Sequence, residues 1–250
     1  MDPDYFKQYY TLEREHWWYM ARIKILTSFV KLHLFKGEPL KILNVGVATG
    51  ATSEMLLQFG TVTSIEYDKA CIDFVNNNTS IKVQQGSITE IDFEDNTFDL
   101  VCAFDVIEHV ENDQKAASEL LRVCNKKGYV FVTTPAYQFL WSEHDVVNHH
   151  YKRYTLGGFK KLFEKDLYNI VKQTYFNTFL FPPIALLRLA LWPFQKNKNV
   201  TNEPRETDAT RFNSSAVNKL LYNLFLFEKS FLSKISFPFG VSIALLLRKK

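Results

Sequence analysis

The stretch ILNVGVATG at residues 42–50 decides the fold, because an apolar run passes directly into a turn that carries two glycines. The apolar run predicts a buried strand over 40–47, and the turn leads into a helical pattern over 51–59. Gly46 and Gly50 permit a close backbone approach to a ligand, and the helix start would point N–H groups at it. Many α/β proteins turn with glycine at this point for structural reasons alone. The stretch by itself therefore leaves a nucleotide-like cofactor and a plain turn both open.

The alternation of apolar runs and helical patterns continues along the chain and predicts the fold class. Further strands are predicted over 61–67, 81–85, 98–104, 129–133, 168–176 and 241–247, and further helices over 69–77, 111–125, 155–165 and 214–235. Lys126-Lys127-Gly128 is interpreted as the end of the helix before it, and the basic tail 248–250 as lying outside the last strand. Such alternation predicts an α/β, Rossmann-like fold with a seven-stranded, mostly parallel sheet and helices on both faces. Ligands of such folds lie at the carboxyl ends of the strands, where the strand order reverses.

The chain divides into a core and an insert. We expect a core with an aromatic N-terminal lid over 1–177, an apolar helical insert over 178–237 and the last core strand over 238–250. A polar linker is expected over 196–211 within the insert. A length of 250 residues and a hydrophobic content of 46% are enough for one such domain.

Charge and cysteine content limit the partners and the compartment. The formal net charge of +3 is too small to indicate nucleic acid. Residues 178–250 hold 11 Lys and Arg against 4 Asp and Glu, which indicates either an anionic membrane surface or a solvated basic face. Three scattered cysteines argue against a disulfide framework or a zinc site. The apolar stretch 179–194 is broken by prolines and too short to span a bilayer. We therefore expect a cytoplasmic protein with possible peripheral contact at the inner face of the membrane.

Glu66 makes the cofactor interpretation more specific. It ends the second predicted strand, about 20 residues beyond the glycine turn, where a carboxylate can accept hydrogen bonds from both hydroxyls of a ribose. The alternative is a surface glutamate that merely closes a strand. Asp68 is better suited to cap the next helix.

Seven segments in order make the chain resemble the class I S-adenosylmethionine-dependent methyltransferases, particularly the branch of ubiquinone-biosynthesis and glycan-cluster methyltransferases. The segments are NVGVATG from 44, IEYD from 65, QGSI from 85, FEDNTFDLV from 93, DVIEHV from 105, ELLRVCNKKG from 119 and FVTTP from 131. The resemblance covers residues 16–177, and PFGVSIA at 238–244 is similar to the last strand of the family. It implies S-adenosylmethionine as cofactor, bound by the turn with Asn44, Gly46 and Gly50. It also implies that Glu66 binds the ribose, that Ser87 and Ile88 flank the adenine and that Asp105 lies beside the methionine moiety.

The chain departs from the family pattern at three positions. Asn44 stands where the family has an acidic residue, Ala48 where it has glycine, and Ser87 where it has an acid after the third strand. Asn44 and Ser87 can still form neutral hydrogen bonds but carry no charge. These departures keep a second possibility open, a methyltransferase fold that serves as a non-catalytic interaction module.

Histidines supply the candidate catalytic groups. His109 follows the fourth strand and is expected to titrate near neutrality, although a structural role at a helix start is an equal alternative. His144 and His149 belong to a loop after the fifth strand, and we expect them to act as catalytic groups. Similar loops of the family face the acceptor, which implies acceptor binding by Asp145, His150, Arg153 and Tyr154. A structural network and a metal site are the rivals, but the spacing matches no zinc pattern, so no metal is expected.

Two further segments bear on the acceptor. Trp17 and Trp18 are predicted to close over the cofactor and contact the acceptor, or else simply to pack in the core. The insert 178–237 suits a lipid-linked acceptor or a membrane surface, or packs on its own domain or on a second subunit in a homodimer. The predicted activity is methyl transfer to an oxygen, less readily a carbon or nitrogen, of a small molecule or glycan acceptor. A nicotinamide-dependent oxidoreductase is disfavoured because the turn lacks the G-x-G-x-x-G spacing.

Overall fold

A computed structural model describes residues 3–195 and 215–250 of the chain. Its strands form a seven-stranded sheet in the order β3-β2-β1-β4-β5-β7-β6. The strands are β1 Leu40–Val45, β2 Gly60–Glu66, β3 Val83–Gln85, β4 Phe98–Phe104, β5 Cys124–Pro135, β6 Tyr168–Phe176 and β7 Ser242–Lys249. β7 is antiparallel to both of its neighbours, and all other pairs are parallel. The predicted seven-stranded, mostly parallel sheet is confirmed.

Helices cover both faces of this sheet. The described helices are α1 Pro3–Glu15, α2 Trp17–His33, α3 Ala51–Leu56, α4 Lys69–Asn78, α5 Asp113–Val123, α6 Glu143–Val147, α7 Leu156–Lys160, α8 Phe181–Gln195, α9 Ser215–Phe227 and α10 Lys229–Leu232. Phe29 of α2 and Phe225 of α9 belong to the hydrophobic core on one face. Leu120 of α5 and Phe159 of α7 belong to the core on the other face. The sheet is therefore the buried middle layer of a three-layer fold.

β4 shows why the central strands have continuous apolar sequences. Leu100 and Cys102 face the core that contains α2, whereas Val101 and Ala103 face the core that contains α5. Successive side chains of a strand point to opposite faces, so a strand buried on both faces has apolar residues at every position. β4 pairs with β1 on one side and with β5 on the other, and the strand order reverses at the junction of β1 and β4.

Two predicted boundaries near β5 and β7 are wrong. The helix before β5 ends at Val123, and residues 126–128 belong to β5 rather than to a helix end. The backbone at Gly128 lies so close to β4 that a Cβ would stand 3.0 Å from the Asp99 carbonyl oxygen. Likewise β7 continues through Lys249, whose Nζ donates to the Cys124 carbonyl oxygen at 2.9 Å. The basic end of the chain therefore extends the sheet as far as Lys249.

Two predicted helices are shorter or divided. α7 covers only 156–160 of the predicted 155–165, and Gly157 and Gly158 within it lower its helical stability. The predicted helix 214–235 breaks at Glu228, whose buried side chain accepts a hydrogen bond from the Thr178 backbone N–H at 2.7 Å. The apolar segment after β6 forms α8, and the predicted linker 196–211 lies outside the described residues.

All three cysteines, Cys71, Cys102 and Cys124, are free and buried. Among the described helices, none combines the length and the hydropathy that crossing a lipid bilayer requires.

Candidate functional site

A cavity of about 1110 Å³ lies at the carboxyl ends of β1, β2 and β4, where the strand order reverses. The turns that follow these strands form its floor, α1 and α2 border one side, and the loop after β5 borders another. Pockets for small ligands usually measure about 300–1,000 Å³, so this cavity is large enough for a cofactor and a second small molecule together.

The glycine turn after β1 adopts backbone conformations that favour glycine. Gly46 has φ of 70° and Gly50 has φ of 93°, both in the left-handed region. A Cβ on Gly46 would stand 2.5 Å from Val106 Cγ2, so a larger residue would displace the start of the turn after β4. Gly46 lines the cavity, and Gly50 instead starts α3 behind it. Ala48 also has a positive φ of 47°, which is strained for alanine.

Glu66 ties the glycine turn to the end of β2. One carboxylate oxygen accepts hydrogen bonds from the backbone N–H groups of Val47 and Ala48 at 3.0 and 3.3 Å. The other accepts from the N–H groups of Tyr67 and Asp68 at 2.8 and 3.2 Å. A carboxylate has about four acceptor positions, so a ligand hydroxyl here would share or replace one of these amides. Glu66 is half-buried and lines the cavity.

Asn44 lies beneath the turn rather than beside the cavity. It is fully buried, and its Nδ2 donates to the hydroxyl oxygens of Thr52 and Ser53, both at 2.9 Å. These bonds fix the first turn of α3 against β1. Ser87 and Ile88, in contrast, line the cavity after β3.

A buried ion pair joins α2 to the end of β4 inside the cavity. Arg22 Nη2 lies 2.5 Å from Asp105 Oδ2, and Arg22 is only 5% exposed. Asp105 has φ of 57°, and its Oδ1 accepts from the Thr133 hydroxyl at 3.1 Å. Arg22 Nε has no hydrogen-bond partner among the described residues. The pair thus presents a positive and a negative group side by side to a ligand.

The N-terminal helices hold the glycine turn from the outside. The Thr49 hydroxyl donates to Glu13, and Arg14 pairs with Glu54 at 2.7 Å. Trp17 and Trp18 both line the cavity and both pack against the core on the α2 face of the sheet. The geometry accommodates both interpretations of the tryptophans, a cover over the cavity and a part of the core.

A histidine cluster closes the opposite side of the cavity. The rings of His109 and His150 meet edge to face with centroids 4.5 Å apart, and His144 lies 6.0 Å from His150. All three line the cavity. Burial, reinforced by His150, lowers the pKa of His109 to about 4. The expectation that His109 titrates near neutrality is therefore wrong, because its surroundings disfavour the charged ring.

Asp145 anchors this cluster from behind. It is fully buried, and Arg153 contacts it with two nitrogens, Nε to Oδ1 at 2.7 Å and Nη2 to Oδ2 at 2.9 Å. His150 Nδ1 lies 2.8 Å from Oδ1, and the Ser142 backbone N–H donates to Oδ2 at 2.8 Å. Burial alone would raise the pKa of Asp145, but the hydrogen bonds from His150 and Arg153 outweigh burial and hold it well below the usual range.

Comparisons with known proteins bear on this arrangement. Residues 43–132 match the family model of a methyltransferase domain. The ubiquinone biosynthesis O-methyltransferase of Rickettsia typhi is 31% identical over 119 residues, which cover 45% of this chain and 48% of that protein. The phosphatidylethanolamine N-methyltransferase of Cereibacter sphaeroides is 28% identical over 99 residues, 37% of this chain and 49% of that protein. The chain thus spans about half the length of the curated relatives it matches.

The solved structures extend the likeness to nearly the whole fold. A protein of Bacillus halodurans assigned as a methyltransferase matches 89% of this chain and 97% of its own, with a TM-score of 0.57 and 17% identity. At that identity the likeness concerns the fold. Residues 43–132 are therefore similar to methyltransferase domains, and the fold of the described chain is similar to that of a solved protein assigned as a methyltransferase.

The predicted site residues fall into two groups. Those that line the cavity are Gly46, Glu66, Ser87, Ile88, Asp105, His109, His144, His150, Arg153, Trp17 and Trp18. The others lie away from it, for separate reasons. Asn44, Gly50 and Asp145 support residues that do line the cavity. His149 is exposed on a left-handed turn, and the buried Tyr154 donates its hydroxyl proton to Asp113 at 2.9 Å.

Arg22 lines the cavity but was not among the site residues predicted from the sequence. An arginine within the aromatic run WWYMAR was the available signal, because a charged residue on the buried face of a helix is expected to have a charged partner. The partner, Asp105, is 83 residues away in sequence, and only the packing of α2 against the sheet brings the two together.

A group of potential metal ligands lines the same cavity. Glu108, His109 and His150 place potential ligand atoms within 4.8 Å of one another. Burial and the nearby Asp105 raise the pKa of Glu108 well above its usual range, and its Oε2 accepts from the Thr134 hydroxyl at 3.1 Å. A cation bound here would have to displace a proton from Glu108. Asp145, considered as a ligand from the sequence, is fully engaged by Ser142, Arg153 and His150.

Proposed function

We propose that this protein transfers the methyl group of S-adenosylmethionine to an oxygen of a small molecule or of a glycan- or lipid-linked acceptor. The observation that carries the proposal is the Arg22–Asp105 pair standing in the same cavity as Glu66. The methionine end of the cofactor bears an ammonium and a carboxylate. Asp105 and Arg22 offer the complementary charges, and Glu66 offers acceptor oxygens for the ribose hydroxyls. Ser87 and Ile88 are assigned to the adenine.

The departures from the family pattern favour weaker binding of S-adenosylmethionine rather than loss of its binding site. Asn44 supports α3 through two hydrogen bonds that an uncharged amide can donate. Ser87 offers only a neutral hydroxyl, which already contacts the Thr89 hydroxyl at 2.9 Å. Under the rival proposal, a non-catalytic module, the cavity would not need to retain a buried ion pair, which is costly to maintain.

Transfer to oxygen is favoured by the histidines beside the cavity. The sulfonium of the cofactor is an activated donor, so in-line positioning supplies much of the acceleration. A hydroxyl acceptor also has to lose a proton, and a positioned base contributes about 10²–10⁴-fold to such a step. The Rickettsia typhi relative is an O-methyltransferase and the Cereibacter sphaeroides relative an N-methyltransferase, so the relatives themselves include both acceptor atoms.

We also propose that the insert contacts an anionic membrane. Its described helices expose large apolar side chains, with Leu186, Leu220 and Phe227 at 69%, 66% and 57% exposure. The described part of the insert contains four Lys or Arg and one acidic residue, the buried Glu228. Apolar side chains with surrounding positive charge suit an anionic lipid surface. Leu187 and Leu221, on the same helices, line the cavity, so an acceptor with an apolar tail would reach it from this side.

The membrane proposal is tested by co-sedimentation with vesicles of phosphatidylglycerol or of phosphatidylcholine. We expect binding to the anionic vesicles only, and weaker binding of the Leu186→Glu/Leu220→Glu double variant. Leu167→Glu, at a position 43% exposed outside the insert, is the matched control. If neither kind of vesicle is bound and analytical ultracentrifugation shows a concentration-dependent dimer, the membrane proposal is wrong. The exposed apolar surface of the insert then contacts a second subunit instead.

Calorimetric titration with S-adenosylmethionine and S-adenosylhomocysteine tests the main proposal. We expect both to bind, and Glu66→Gln to bind about 10- to 100-fold more weakly because hydrogen bonds to a charged acceptor are lost. Glu38→Gln, at an exposed position before the start of β1 that does not line the cavity, is the matched control and should bind like the wild type. If neither ligand binds to the wild type at millimolar concentration, the proposed methyltransferase activity is refuted. Unchanged binding in Glu66→Gln would refute only the ribose assignment.

A further inference from the structure

The protonation pattern of His150 follows from its partner. Asp145 is held ionised by Arg153, and an ionised carboxylate can only accept hydrogen bonds. The contact of 2.8 Å between His150 Nδ1 and Asp145 Oδ1 therefore requires the proton to be on Nδ1. In the neutral ring Nε2 then carries the lone pair.

The position of His150 sets it apart from its neighbours. It lines the cavity, while the carboxylate that orients it is fully buried behind it. His149, one residue earlier, has a φ of 55° and an exposed side chain away from the cavity. The His150 backbone N–H also donates to the Asp145 carbonyl oxygen at 2.9 Å, so both its backbone and its ring are fixed to Asp145.

We infer, resting on the proposed methyl transfer, that His150 is the general base of the reaction and that Asp145 and Arg153 are its positioning residues. A base within reach of the substrate, oriented by a carboxylate behind it, is the arrangement that activates weak nucleophiles in many enzymes. The groups that face His150 from the surrounding elements are Glu108 and His109 after β4, and His144 before it in α6. Each of these lines the same cavity.

Two histidines lie beside His150. His144 contacts Asn148 and the His150 ring. His109 lies against His150, and a positive charge on either ring opposes a charge on the other. A single proton accepted by the pair is therefore best stabilised on His150, where Asp145 balances it.

The step conserves atoms and charge. The acceptor oxygen forms a bond to the methyl carbon as the carbon–sulfur bond breaks, and that electron pair remains on sulfur as the neutral thioether of S-adenosylhomocysteine. The hydroxyl proton moves to His150 Nε2. The positive charge of the sulfonium is thereby replaced by the positive charge of an imidazolium that Asp145 stabilises, and the proton then leaves to water.

The tautomer of His150 is testable without knowing the acceptor. We expect nitrogen NMR of histidine-labelled protein with bound S-adenosylhomocysteine to show a proton on Nδ1 and an unprotonated Nε2 at pH 8. In Asp145→Asn the side-chain amide can donate to Nδ1, so the proton should shift to Nε2. A wild-type ring that is protonated on Nε2 would overturn the inference, whereas failure to bind S-adenosylhomocysteine would instead refute the proposed function.

Kinetics test the role in catalysis, with unsubstituted catechol, whose hydroxyls remain protonated at neutral pH, as the acceptor probe and tritiated S-adenosylmethionine as donor. We expect His150→Gln to lower kcat about 100-fold or more and to change the KM for the donor about twofold at most. Added imidazole should partly restore the His150→Gly variant. Tyr151→Phe, at a neighbouring position that is 58% exposed and does not line the cavity, is the matched control and should retain wild-type kinetics.

Three outcomes would overturn the assignment. These are an unchanged kcat in His150→Gln, a loss confined to KM, and an activity abolished by a chelator and restored by a divalent cation. If a divalent cation restores the activity, Glu108, His109 and His150 are metal ligands instead.

Discussion

The two sides of the cavity are built on different principles: the proposed cofactor side consists of the turns after β1, β2 and β4, and the proposed acceptor side consists of the loop after β5. On the cofactor side, parallel strands fix the positions: Val45 pairs with both Ile65 and Ala103, so the residues that follow come to one edge of the sheet. Glu66 and Asp105 are 39 residues apart in sequence, yet both line the cavity at this edge of the sheet. On the acceptor side no strand register applies, and individual turns decide where each side chain points.

His149 and His150 show what this difference means. They are adjacent and chemically identical, yet one is exposed and the other lines the cavity beside its carboxylate partner. A left-handed turn at His149 separates them. Side chains after strands can therefore be placed from a sequence pattern, whereas side chains in an irregular loop require the loop conformation itself.

Removing the charge of Asp105 should have the largest effect on stability. Asp105→Asn keeps the shape and tolerates the positive φ but leaves the buried Arg22 without its counter-charge. Breaking a buried pair from one side costs about 3–5 kcal/mol. Urea denaturation should show this loss, and a variant as stable as the wild type would show that the pair does not support the cofactor side.

Asp73→Asn is the matched control for this prediction. Asp73 pairs with Lys69 at 3.1 Å, but both side chains are more than half exposed. An exposed pair of this spacing contributes about 0.5 kcal/mol or less, so the two substitutions should differ several-fold in their cost.

On the proposed cofactor side, the sequence predicted the residues at the strand ends that line the cavity, although Asn44 and Gly50 lie away from it. On the proposed acceptor side, it predicted the loop but not which of its side chains line the cavity. The period of apolar residues located the ends of β1, β2 and β4, and Gly46, Glu66 and Asp105 stand at those ends. It could not find Arg22, whose partner is known only once α2 packs on the sheet. It could not rank the loop histidines, and it placed Tyr154 at the acceptor although its ring is part of the core.

Glu228 tests how the insert is attached to the core. Burial raises the pKa of Glu228 to about 7, so the folded state holds this proton more tightly than the unfolded chain does. The contribution of Glu228 to stability is therefore present below about pH 4.5 and is lost as the pH rises through about 7. Glu228→Gln should be more stable than the wild type at pH 8, by about 1–3 kcal/mol, and lose this advantage at pH 4.5.

Thermal unfolding of both proteins at the two pH values checks this prediction. Glu164→Gln, at an exposed position, controls for the loss of one carboxylate. An equal difference between Glu228→Gln and the wild type at both pH values would mean that Glu228 is not buried against Thr178, and that α9 and α10 are attached differently.

A substitution at Ala48, in the glycine turn after β1, should have the smallest effect on stability. Its φ of 47° is strained for alanine, so Ala48→Gly should stabilise the protein by about 0.5–1 kcal/mol. Ala190→Gly, at an exposed position inside α8, should instead cost about 0.5–1 kcal/mol. Chemical denaturation of the two variants checks that their changes in the free energy of unfolding have opposite signs. A loss of stability in Ala48→Gly would contradict the left-handed conformation of Ala48.

A crystal structure of the complex with S-adenosylhomocysteine tests the central claim most directly. The account predicts the ribose hydroxyls at Glu66, the carboxylate at Arg22, the ammonium at Asp105 and the sulfur facing the part of the cavity that His150 lines. A cofactor bound with its ribose away from Glu66, or a cavity that stays empty at millimolar ligand, would contradict it.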